Sequence, residues 1–250
     1  MRASQAITVW CDESRIQING HTYHLIGALI TNSDNEEYEF KKALLQCRKD
    51  RRCWNVIHGT EIREGDSSKI NLIDSWINRF QLEDNVWFHV FVYKENRRYA
   101  GEGFERYFAK QSAFSLANKM KSVGYPIQTL LKDVGTVTYL FDRRRDEAGD
   151  TLGNVYEESI KTQLRTISKK GNSLTVRFSF ISSNCFNCMQ LTDVLLYMVK
   201  NRIEKELGNE LPAAQNRLVE LWESYFLDEN ILELKDFEFD SKFNYFRSNQ

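Results

Sequence analysis

Asn19-Gly20 makes the first topological decision in this chain. It stands between Arg15-Ile16-Gln17-Ile18, which alternates polar and apolar residues, and the largely apolar run from His21 to Ile30. Asn and Gly tolerate the left-handed backbone of a two-residue hairpin turn, and that turn matches the twist of its flanking strands. The sequence therefore predicts an antiparallel hairpin here. Just upstream, Ile7 to Cys11 reads as a further short buried strand. Three antiparallel strands in a meander are expected.

The Ile7–Cys11 run stops at Asp12-Glu13-Ser14. Acids at the end of a buried strand cost desolvation energy unless something compensates them. A divalent cation is one compensation; a solvated turn with Asp12 capping a backbone N–H is the other. The same context recurs downstream, where the β-branched and aromatic run Val134 to Phe141 reaches Asp142. Two more acids stand in unusual places. Val56-Ile57 runs into His58 and, three residues on, Glu61; on a helical turn these share a face. Met189 to Val199 is a strongly apolar helix carrying Gln190 and Asp193 at the same spacing. Asp is a poor residue for a helix interior, and a buried one is seldom left unpaired.

Between these points the periodicity alternates. Helices are expected over Glu39–Lys49, Ser67–Phe80, from Gly101 to about Val123, and from about Thr151 to Ser168. Strands are expected over Val86–Tyr93 and Leu174–Ile181. Beyond Asn201 the pattern reads as polar-faced helices with an acidic and aromatic tail. Only Pro126 and Pro212 punctuate the chain, and no Pro- or Gly/Ser-rich linker divides it. One domain over residues 1–205 with a helical C-terminal extension over 206–250 is the expected organisation.

Net charge is -1, so no global basic field announces nucleic acid. Local patches would have to hold it. Arg48, Lys49, Arg51 and Arg52 form one such knot beside Trp54, and Arg143, Arg144 and Arg145 form another after Asp142. Each reads either as a solvated turn or helix end, where cations suit the dipole, or as a phosphate contact, with Trp54 as a stacking platform. Cys185-x-x-Cys188 lacks the second pair that a zinc site needs. Five cysteines, an odd count, fit a reducing compartment, and the opening Met-Arg-Ala-Ser-Gln is unlike a signal peptide. A cytoplasmic location is expected. No apolar run approaches the length of a membrane span.

Carboxylates from separated elements can converge at one end of a sheet. Asp12, Glu61, Asp142 and Asp193 together would hold two Mg²⁺ or Mn²⁺ ions about 4 Å apart, the arrangement that activates water in phosphodiester hydrolysis. Hard cations want such oxygen donors. The four motifs Asp12-Glu13-Ser14, Ile57-His58-Gly59-Thr60-Glu61, the strand into Asp142, and Gln190-Leu191-Thr192-Asp193 resemble the signature of the DUF3800 family (domain of unknown function 3800) of bacteria and mobile elements. The resemblance spans about residue 6 to about residue 205.

That family is grouped with ribonuclease H-like folds. The resemblance thus implies an α/β protein, a mixed sheet with helices on both sides, and a metal-dependent nuclease acting on RNA or DNA, often near defence genes. It makes Asp12, Glu61, Asp142 and Asp193 catalytic metal ligands. Glu13, Ser14, His58 and Gln190 become their supporting or substrate-orienting neighbours. The chain departs from the family pattern at Arg15, where Gly is usual, and at Ser182-Ser183, where Asp-Ser is frequent. The second departure carries the alternative reading: a non-catalytic nucleic-acid-binding or effector subunit of a defence or toxin–antitoxin complex. A protein partner would engage the C-terminal helices.

Overall fold

Asn19 and Gly20 adopt left-handed backbone, with φ of 50° and 75°. They join β1 (Gln5–Ile18) to β2 (His21–Asn32), which pair antiparallel from Ile18↔His21 to Ile7↔Asn32. The structure is a computed structural model and describes residues 5–32, 34–94, 107–112, 134–142, 150–167, 174–226 and 243–247. β3 (Val86–Lys94) continues the meander against β2. β4 (Val134–Asp142) lies parallel to β1, and β5 (Thr175–Ile181) lies parallel to β4. β6 (Phe243–Arg247) lies parallel to β3. The six-stranded mixed sheet has the order β5-β4-β1-β2-β3-β6.

Helices cover both faces. On one face α1 (Asp34–Arg51), α2 (Ser67–Leu82), α4 (Asn187–Glu206) and α5 (Ala213–Tyr225) bury Trp10, Leu25, Leu29 and Phe88 with their own Phe40, Trp76, Leu195 and Trp222. On the other, α3 (Asp150–Ile167) brings Ile160 and Leu164 against Val9, Cys11, Ile26 and Phe141. Phe108, from a helical stretch at 107–112, joins that second core. A strand buried on both faces does not alternate, and this explains the unbroken Leu25–Thr31 run, in which every described side chain is buried. Gly27 is needed within it. A Cβ there would lie 3.1 Å from Cβ of Leu196, because α4 crosses β2 at this point. No helix among the described residues is long and apolar enough to cross a membrane.

Two expectations are corrected. Ile7–Cys11 and Arg15–Ile18 are one 14-residue strand, so Asp12-Glu13-Ser14 lies in its interior. β2 supplies an unbroken ladder through Asp12↔Gly27, Glu13↔Ile26 and Ser14↔Leu25, which satisfies the backbone despite the polar side chains. The C-terminal extension is not wholly helical: α5 packs against α2 and α4, but Phe243–Arg247 adds a strand to the sheet. Most of the helix expected between Gly101 and Val123, and all of Arg143, Arg144 and Arg145, lie outside the described residues.

Candidate functional site

Strand alternation divides the first acidic motif. Successive side chains point to opposite faces, so Asp12 shares the face of Trp10 and Ile16, beneath α4, while Glu13 shares the face of Cys11. This corrects the grouping of Glu13 with Asp12 around one site. Ser14 falls on the Asp12 side. The parallel ladder of β1 with β4 pairs Trp10 with Leu140 and Cys11 with Phe141. Asp12 and Asp142 each follow directly on this last pair, on neighbouring strands whose axes run about 4.8 Å apart. Leu140 packs on the Trp10 side, so Asp142, two residues on, faces that side too. Its Oδ1 accepts the Ser183 N–H at 2.9 Å.

The helix that covers this face, α4, carries Asp193. Its Oδ2 accepts His58 Nδ1–H at 3.0 Å and the Gly59 N–H at 3.4 Å. The other ring nitrogen of His58 stands 3.3 Å from Asn184 Oδ1. The Asp193 hydrogen bond is the largest influence on His58. It lifts the imidazole pKa to about 9 against the opposing effect of burial. Both ring N–H groups then have acceptors. A 3₁₀ turn, Gly59–Glu61, holds His58 at this distance. It lies so tightly on α4 that a Cβ on Gly59 would sit 2.5 Å from Cβ of Tyr197. Glu61 is exposed at the rim, and its charge also supports the imidazolium.

Gln190 is 2% exposed and lies one helical turn before Asp193. Its Oε1 accepts the Ile57 N–H at 3.0 Å and Arg48 Nη2–H at 2.5 Å; its Nε2 donates to the carbonyls of Ser183 and Asn184. Asp142, the 183–187 segment, His58 and Asp193 thus belong to one continuous hydrogen-bonded network. Among the described residues, no three His, Cys, Asp or Glu side chains are grouped to hold one metal ion. Asp12 and Asp142 thus stand at the same level of neighbouring strands, Asp193 is engaged with His58, and Glu61 is exposed.

Arg48 is a second correction. It is 5% exposed, and its guanidinium is turned inward rather than toward a phosphate. Nε donates to Asn187 Oδ1, Nη1 to the carbonyls of Cys53 and Asn55, and Nη2 to Gln190, while the group stacks on Trp76. Arg51 and Arg52 remain at the surface, with Arg51 bonded to Ser75 Oγ, and Trp54 beside them is 61% exposed. Asn184 and Asn187 belong to the network and were not singled out from sequence. Asn187 at the start of an apolar helix is a recognisable helix-start signal; Asn184 carries none. The thiols of Cys185 and Cys188 are unbridged, and Cys188 is buried, with its pKa pushed up to about 12.

The His58–Asp193 pair makes stability depend on pH with a definite sign. The folded pKa, about 9, lies above the ordinary 6.5. The stabilisation is therefore fully present below the unfolded pKa and fades as pH rises through about 9. Allowing for solvent at the partly open ring, it is worth about 1–2 kcal/mol. Urea unfolding of wild type and His58→Gln should show a gap at about pH 6 that closes by about pH 10. A pH-independent gap would mean that His58 acts by packing alone.

No family model, curated protein or solved structure matches the chain.

Proposed function

We propose that this chain is a divalent-metal-dependent nuclease with a ribonuclease H-like fold of the DUF3800 type, hydrolysing phosphodiester bonds in RNA or DNA. The observation that carries the reading is the placement of Asp12 and Asp142. Each directly follows the last pair, Cys11↔Phe141, of two adjacent parallel strands, on the face covered by the helix that carries Asp193 and its partner His58. A mixed sheet with helices on both faces agrees with it.

The donor set fits Mg²⁺ or Mn²⁺. Mg²⁺ is usually bound through one or two carboxylates plus substrate phosphates, keeping several waters. Asp12 and Asp142 would hold it, and this reading assigns Asp193 and Glu61 as the further oxygen donors. When bound, the ion supplies Lewis acidity and a more acidic water. The chain's own groups do the rest. His58, cationic at neutral pH, attracts the backbone phosphate, with its Nε2–H shared with Asn184 Oδ1. Asp193 fixes the orientation of its ring. Arg51, Arg52 and Trp54 offer phosphate contacts and a stacking surface outside the site; Arg143, Arg144 and Arg145 carry the same expectation.

The second reading, a nucleic-acid-binding subunit without cleavage, is favoured by one observation. One oxygen of Asp142 and one of Asp193 already accept protein donors. A cytoplasmic defence setting and a protein partner at the C-terminal region belong equally to both readings.

Calorimetric titration of Mn²⁺ into wild type and Asp142→Asn separates them. Metal binding that the substitution removes, with cleavage of a single-stranded oligonucleotide in Mn²⁺, is the expected result. Tight, salt-dependent oligonucleotide binding without cleavage would establish the second reading instead.

A further inference from the structure

We propose that Arg48, acting through Gln190, is the positioning residue of this site. The cleavage part of this inference rests on the nuclease reading; the geometric part does not.

The segments that carry or hold His58, Asn184, Asp142 and Asp193 all meet at the Arg48–Gln190 contact. Arg48 Nη1 grips the carbonyls of Cys53 and Asn55 at 3.0 and 2.8 Å, which fixes the loop leading to His58. Gln190 Oε1 takes the Ile57 N–H, the amide immediately before His58. Gln190 Nε2 takes the carbonyl of Asn184, whose side chain meets His58, and that of Ser183, whose N–H meets Asp142. Arg48 Nε takes Asn187 at 2.7 Å, which fixes the first turn of α4, and Asp193 follows on the same helix.

One guanidinium thus sets the relative positions of the C-terminus of α1, the His58 loop, the Asn184 segment and α4. The planar fork suits this task. It donates in several fixed directions at once while its face lies on Trp76, the ring centroid 4.8 Å away. An ammonium is a compact point charge without that fork. The three other cations of the same run, Lys49, Arg51 and Arg52, are exposed and take no part.

The test is Arg48→Lys in the full chain, which keeps the charge and removes the fork. His58 Nδ1–H, bonded to Asp193, should give a slowly exchanging downfield NMR resonance in wild type. That resonance should vanish in Arg48→Lys at temperatures where circular dichroism shows an intact fold. Mn²⁺-supported cleavage of a single-stranded oligonucleotide should lose about 10- to 100-fold in kcat, as expected for misplaced groups. KM should stay within about twofold. A purely structural Arg48 would lower the melting temperature but move neither readout below it, and that outcome overturns the proposal. So does a raised KM with a flatter salt dependence and unchanged kcat, the behaviour of a phosphate contact.

Should Arg48→Lys fail to fold, Asn187→Ala removes only the Nε acceptor at a half-buried position. It should broaden the same resonance; an unchanged resonance overturns the proposal. If wild type shows no cleavage, the nuclease reading fails, and the resonance alone decides the positioning role.

Discussion

Gln190→Leu should destabilise the fold by about 3–5 kcal/mol, the range for breaking a buried, charged hydrogen-bond network. Leu matches the volume of the side chain but carries no polar atoms. It strips a partner from the Arg48 guanidinium, from the buried Ile57 N–H, and from the carbonyls of Ser183 and Asn184. Water cannot readily replace the lost partner, because Gln190 is 2% exposed and Ile57 fully buried. Each orphaned group costs about 1–3 kcal/mol, partly relieved by relaxation. The control is Thr192→Val, two residues along the same helix. Thr192 is also fully buried, but its hydroxyl only donates to the Cys188 carbonyl one turn back, at 2.8 Å. That change should cost about 1 kcal/mol or less. Urea denaturation at constant m reads both. Equal costs would show that the helix resents any substitution there and that the network adds little.

What the sequence revealed, and what it hid, follows from how far apart the partners lie. The Asn19-Gly20 hairpin was legible because a turn is local chemistry: both residues carry the positive φ it requires. The amphipathic helix expected over Ser67–Phe80, which runs on to Leu82, is legible for the same reason. The continuity of β1 through Asp12-Glu13-Ser14 was not, because the ladder that overrides three polar residues is supplied by β2. Nor was the division of Asp12 from Glu13, which follows only once these positions are known to be extended strand. Arg48 shows the limit most clearly. Four cations stand within five positions, and nothing local distinguishes the one that turns inward. Its acceptors Asn187 and Gln190 lie 139 and 142 residues away. His58 and Asp193, 135 residues apart, meet in the sequence only through the family resemblance, which assigns both to one site. Their pairing required the fold.

Asp12→Asn and Glu13→Gln, adjacent in sequence and alike in chemistry, should differ widely in effect at the proposed site. Asn replaces a charged oxygen by an amide nitrogen without changing shape, so the strand and its pairing with Gly27 should survive. On the proposed nuclease reading, losing the Asp12 charge should lower Mn²⁺-supported cleavage by more than about 100-fold, the scale at which even outer partners of metal ligands act. Glu13 points to the opposite face of the sheet, the side of Cys11 and Ile26. Its change to Gln should leave cleavage within about threefold, less than 1 kcal/mol of barrier, whatever it does to stability. Asp142→Asn should behave like Asp12→Asn, since its amide oxygen can still accept the Ser183 N–H while the charge is gone. Rates measured well below each variant's melting temperature test the pattern. Equal losses at Asp12 and Glu13 would mean that the motif matters through strand stability. No loss at Asp12 or Asp142, with cleavage retained, would move the chemistry to another part of the chain. A steep loss at those two positions alone ties catalysis to the face beneath α4, where the His58–Asp193 pair already stands.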